Sequence, residues 1–223
     1  MMLPSFRHCA LAFGLALTPL VGLANESDEA AYTAVITERA EKIVATLKLS
    51  DAAQHERLRG LIAGQYRSLR DIHAARDTKL AEQPDFDAGL GAAFTKAVQS
   101  QSREELETLH RRFIAQLSAE LSPAQVDQVK DGLTYGVVPI TFKRYCELLP
   151  DMPADLRRAI HANLLEAREY AMDAGSSDEK HAWFGKYKGR INNLISAAGI
   201  DLKQAEKSLA EREAQRQNEG RSN

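Results

Sequence analysis

The chain is poor in cysteine. Of its 223 residues only Cys9 and Cys146 are thiols, and Cys9 heads an apolar leader, so the remainder can form no intramolecular disulfide even in an oxidising compartment. Stability must then come from a packed core. Cys146 sits beside Phe142 and Tyr145, a setting that suits a small buried hydrophobe better than a nucleophile. Paired-Cys motifs, a glycine-rich phosphate loop and a Gly-x-Ser-x-Gly elbow are all missing, which removes support for thiol-redox, nucleotide and serine-hydrolase chemistry and points to no cofactor. The histidines His55, His73, His110, His161 and His181 are scattered, without a His-Glu-x-x-His motif, and no metal site is expected. Excess charge is lacking too: the net value is -2, which argues against a dedicated nucleic-acid binder.

Long apolar runs are scarce. The one candidate, residues 9–23, follows Arg7 and His8 and falls short of the roughly 20 apolar residues a membrane helix needs. Small residues Gly22 and Ala24 occupy the positions a signal peptidase reads. Residues 1–24 are therefore expected to be a cleaved signal peptide, the mature chain to start at Asn25, and the protein to work in the periplasm or outside the cell. Beyond Leu23 no run approaches a membrane span.

What is abundant is apolar periodicity of the helical kind. Ile36, Ala40, Ile43 and Leu47 mark a first helix; Leu58, Ile62, Leu69, Ile72 and Leu80 mark a long second one, capped by Ser50 and ended by Pro84. Residues 83–91 read as a loop. Leu106, Leu109, Phe113, Leu117 and Leu121 form the stripe of a third helix. Ser122-Pro123-Ala124-Gln125 is a capping-box start for the next. A bend over residues 134–139 precedes a short helix with Phe142, Tyr145 and Leu149. Leu156, Ile160, Leu164, Ala167 and Ala171 mark a helix ending at a left-handed Gly175, and Ser176 with Glu179 opens one carrying Trp183, Tyr187, Ile191 and Leu194 that Gly199 closes. The fold class is all-α: a single compact multi-helix bundle over residues 25–200, with a charged tail, 201–223, that begins helical and frays.

The start Leu121-Ser122-Pro123-Ala124-Gln125 resembles the Leu-Thr-x-x-Gln signature of Spy-type periplasmic helical chaperones; around Ser50 to Gln54 a similar start carries one extra residue. Ordinary helix capping accounts for the same letters. A chaperone or adaptor role stands as the alternative function.

The chemistry-bearing stretch is residues 166–190. Lys180, His181, Lys186, Lys188 and Arg190 interleave with Trp183, Phe184 and Tyr187. Flat rings beside cations suit a sugar that carries carboxylate or sulfate, with Trp183 and Tyr187 as platforms and Lys186, Lys188 and Arg190 as anion partners. The same pattern also describes an amphipathic helix with its rings in the core and its lysines in water. On the preceding helix Glu166, Glu169 and Asp173 share one stripe, beside Tyr170. They either pair with the basic helix or, with one carboxyl kept protonated by burial and His181 as a further candidate, supply acid and base for work on a sugar. Gly185 and Gly189, four apart inside a helix, each cost about 1 kcal/mol relative to Ala. They are expected to admit a neighbouring helix or a ligand.

Three segments, Tyr135-Gly136-Val137-Val138-Pro139-Ile140, the run from Glu166 to Gly175, and the run from His181 to Asn193, resemble a secreted bacterial family, domain of unknown function 3826. The resemblance spans most of the mature chain. It implies a carbohydrate setting, since that family often accompanies genes for breakdown of pectin-like polysaccharides, and it assigns no catalytic residue. The reading is an exported helical protein that binds or processes an acidic oligosaccharide.

Overall fold

The structure, a computed structural model, describes residues 21–84 and 87–219. Arg7, His8, Cys9 and most of the expected signal peptide lie outside them. Among the described residues there are eight α-helices and no strand: α1 Val21–Thr46, α2 Ala52–Ala81, α3 Ala88–Glu120, α4 Pro123–Leu133, α5 Val137–Leu148, α6 Ala154–Met172, α7 Ser177–Ala197 and α8 Leu202–Glu219. The all-α bundle is as expected. No helix among the described residues is long and apolar enough to cross a membrane. Residues up to Val35 form a unit of their own, in which the described chain is helical from Val21 through the expected cut at Ala24. Residues from Ile36 onward form the second unit, which holds everything described below.

Two antiparallel hairpins frame that unit. In the first, α2 packs on α3: Gln54 at the start of α2 donates to the Glu120 carbonyl at the end of α3, and Lys79 near the end of α2 donates to Gln101. In the second, α6 packs on α7. Ile160, Leu164, Ala167 and Ala171 of α6 are buried against Phe184, Ile191 and Ile195 of α7, the i, i+4, i+7 spacing that puts each set on one face. Helices α4 and α5 lie against α6, and α8 lies against α5 and α7.

Local starts follow side-chain chemistry. Ser122 and Gln125 form the expected capping box. Ser176 caps α7 by accepting from the Glu179 backbone N–H, while Glu179 itself reaches one residue further back, to the Gly175 N–H. Asp51, not Ser50, caps α2, its carboxylate accepting from the Ala53 N–H at 2.8 Å. An aspartate at this position also suits the positive end of the helix dipole. The third helix starts earlier than its stripe suggests, because Asp87 accepts from the Gly89 and Leu90 N–H groups and opens a turn there. Pro139 lies in the first turn of α5, where a missing N–H costs nothing. The bend narrows to residues 134–136. The tail is helical over Leu202–Glu219, with Leu209 buried and Arg212 donating to the Glu147 carbonyl.

Gly175 is not left-handed; it is needed for space. A Cβ there would sit 2.8 Å from the His73 ring, closer than any real contact, so the α6–α7 turn can seat on α2 only with glycine. Gly199 does close α7, at φ +77°.

Candidate functional site

Residues of α6 and α7 facing solvent build a small aromatic surface. The Tyr170 ring lies 4.6 Å from the Trp183 ring, centroid to centroid, at an interplanar angle of 17°, and 6.2 Å from Tyr187. Lys186 Nζ stands over the Trp183 ring at 4.9 Å and the Arg190 guanidinium over Tyr187 at 4.8 Å. Both cations are held by ring quadrupoles. Arg190 also approaches Glu166 at 3.8 Å; Lys186 has no carboxylate partner among the described residues. The site residues Trp183, Lys186 and Arg190 thus come together as the spacing suggests.

Tyr187 does not serve as a platform. It is 3% exposed, because its position on α7 is shared with the core residues Phe184 and Ile191. Burial and a hydrogen bond with Glu166 push its phenol up to about 12. The open ring is Tyr170, 47% exposed, a residue the spacing places beside the acidic stripe without marking it as a platform. Lys180 likewise leaves the basic face: it is 6% exposed and donates to the carbonyls of Ala171 and Met172, the last turn of α6. Burial holds it down to about 8. Lys188 is exposed, and seven residues on from His181 it shares that residue's flank of α7.

The acidic stripe is divided. Glu166 faces Arg190 and Tyr187. Glu169 and Asp173 turn the other way, into a charged cluster with residues far away in sequence. His110 of α3 places Nδ1 2.9 Å from Asp173 Oδ2 and Nε2 3.4 Å from Glu169 Oε2. Lys130 of α4 donates to Glu169 at 2.8 Å. Arg168 is buried between Asp127 and Asp131 of α4. Below Asp173, Arg76 donates to His73 Nδ1 at 3.0 Å, so the His73 Nε2–H donates to the Asp173 carbonyl at 2.8 Å.

These contacts set the protonation states. Hydrogen bonds to Asp173 and Glu169 outweigh burial and raise His110 to about 9, so it is an imidazolium at neutral pH. Burial pushes Glu169 upward, but hydrogen bonds from His110 and Lys130 and the field of Arg168 prevail and hold it at about 2. Glu169 is therefore an ionised structural partner and not the protonated acid that the stripe suggests. His181 stands apart from all three carboxylates: its ring stacks on Tyr135, 5.8 Å away at 19°. Two residues from Trp183, it lies about 200° round α7, on the opposite flank. No group of three or more His, Cys, Asp or Glu suited to a metal occurs among the described residues.

Gly185 and Gly189 admit no helix. A Cβ at either would meet nothing within 4 Å, and both are exposed. The cysteine Cys146 is free and packs half-buried against the core.

The class these features define is an all-helical domain with an exposed tyrosine stacked on a half-buried tryptophan beside two cations. The profile of the family described as protein of unknown function DUF3826 matches residues 33–214, and the chain belongs to that family. No curated protein matches it.

Proposed function

We propose that this protein is exported and binds an acidic oligosaccharide on the Tyr170–Trp183 surface. One observation carries the reading: an exposed tyrosine is stacked on the only tryptophan of the chain, with Lys186 and Arg190 resting on rings rather than locked in close ion pairs. A pyranose offers one apolar face, which suits the open Tyr170 ring, and its carboxylate suits cations that can leave a ring face without breaking a buried bond. Binding is favoured over processing because Glu169 and Asp173 are committed to His110, which leaves Glu166 as the one exposed acid of the stripe.

Thermal unfolding against a panel of neutral and acidic oligosaccharides tests this. A ligand at a hundred times its Kd adds about 2.7 kcal/mol, a rise of roughly 5 to 10 °C for a domain of this size. The expected result is a shift with acidic glycans only, abolished in a Lys186→Met, Arg190→Met double variant that melts normally without ligand. An intact shift in that variant overturns the site. No shift with any glycan, together with suppressed aggregation of an unrelated unfolding protein, replaces the reading with the chaperone one.

A further inference from the structure

Tyr135 is the one residue between α4 and α5 whose backbone conformation its side chain opposes. Its φ is +60°, followed by Gly136 at +66°, so the turn requires two successive left-handed residues. The second position is filled by glycine, which enters that region without a Cβ clash. The first is filled by tyrosine, which does not. Strain of this kind persists where packing over-determines it or where function uses the residue. The backbone conformation is that of a Schellman cap on α4: the Gly136 N–H donates to the Asp131 carbonyl at 2.7 Å and the Tyr135 N–H to the Gly132 carbonyl. The cap asks for a left-handed residue and not for a tyrosine, whose ring it leaves 45% exposed with no hydrogen bond to its hydroxyl among the described residues. What the ring does is lie parallel to the exposed imidazole of His181.

Resting on the carbohydrate reading above, we infer that Tyr135 and His181 form a second ring-stacking subsite for the same oligosaccharide, across α7 from Tyr170 and Trp183. The two pairs flank one helix, on the order of 10 Å wide. Lys188, exposed on the His181 flank about two turns further along α7, is the cation assigned to this subsite. The outer surface between the flanks carries Ala182, Gly185 and Lys186, all exposed, so the path between the two stacks crosses two small residues and one cation. A short ligand fills only the Tyr170 side; a longer one reaches both.

Calorimetric titration of wild type, Tyr135→Gly and His181→Ala with oligouronide disaccharides and hexasaccharides separates the possibilities. Glycine suits the left-handed position, so Tyr135→Gly is expected to melt at the wild-type temperature or a few degrees higher. It should keep disaccharide affinity and lose about tenfold in hexasaccharide affinity; His181→Ala should lose hexasaccharide affinity in the same way. A lower melting temperature with both affinities unchanged makes Tyr135 a structural residue and overturns the inference. A wild type that binds both lengths equally overturns the second subsite while leaving the first. A wild type that binds neither ligand removes the carbohydrate reading and this inference with it.

Discussion

His110 donates from both ring nitrogens, to Asp173 and to Glu169, and the positive charge this requires joins α3 to α6. Its pKa stands at about 9 against an ordinary 6.5. The folded state therefore holds a proton that the unfolded chain releases, and the stabilisation, on the order of 2–3 kcal/mol, is complete below pH 6.5 and lost as pH rises through 9. Lys180 acts with the opposite sign. Burial lowers it from 10.5 to about 8, so stability climbs again between those values. The net fall is then steepest between pH 6.5 and 8. Urea unfolding at pH 6 and pH 8 is expected to show this fall in the wild type, whereas His110→Gln should be less stable at pH 6 and nearly flat across the interval. Parallel slopes for the two proteins contradict the assigned role of His110.

At the scale of elements, α7 carries an unexplained expense. Gly185 and Gly189 sit inside a helix with nothing near the position of a Cβ, so Gly185→Ala and Gly189→Ala should each raise stability by about 1 kcal/mol, seen as higher melting temperatures. A fall in either would mean the helix backbone there is tighter than its surroundings show. Part of this element was legible in advance: Ser176 and Gly199 bound α7 as their chemistry dictates, and Tyr187 and Ile191 of the expected stripe are buried, but the buried face is completed by Phe184 and Ile195 while Leu194 is exposed and Trp183 half-buried. Spacing put Tyr187 both in the apolar stripe and among the platforms, and it did not mark Lys180 as buried, because the burial of that lysine depends on α6 docking alongside. Nor could it join Glu169 to His110 and Lys130, which lie on two other helices. Gly175 shows the same limit. Its composition suggests a helix cap, while its true constraint is the ring of His73, supplied by α2.

Across the whole second unit, the charged cluster and the aromatic surface are two sides of one hairpin. His73 and His110 hold the C-terminal end of α6 on the α2–α3 hairpin, Lys180 closes that end from α7, and the α6–α7 pair so fixed displays Tyr170 and Trp183 outward. The acids thus frame the aromatic surface, and the rings and cations are what a ligand of the proposed kind would meet. Trp183 is the only tryptophan, so its fluorescence reports on this surface alone. The decisive measurement is a fluorescence titration of the protein with an acidic oligosaccharide and with the same oligosaccharide after its carboxyl groups are reduced to alcohols. The account predicts a saturable change with the acidic ligand, lost in Tyr170→Ala and much weakened with the reduced ligand. Equal responses to both ligands, or an undiminished response in Tyr170→Ala, would contradict it.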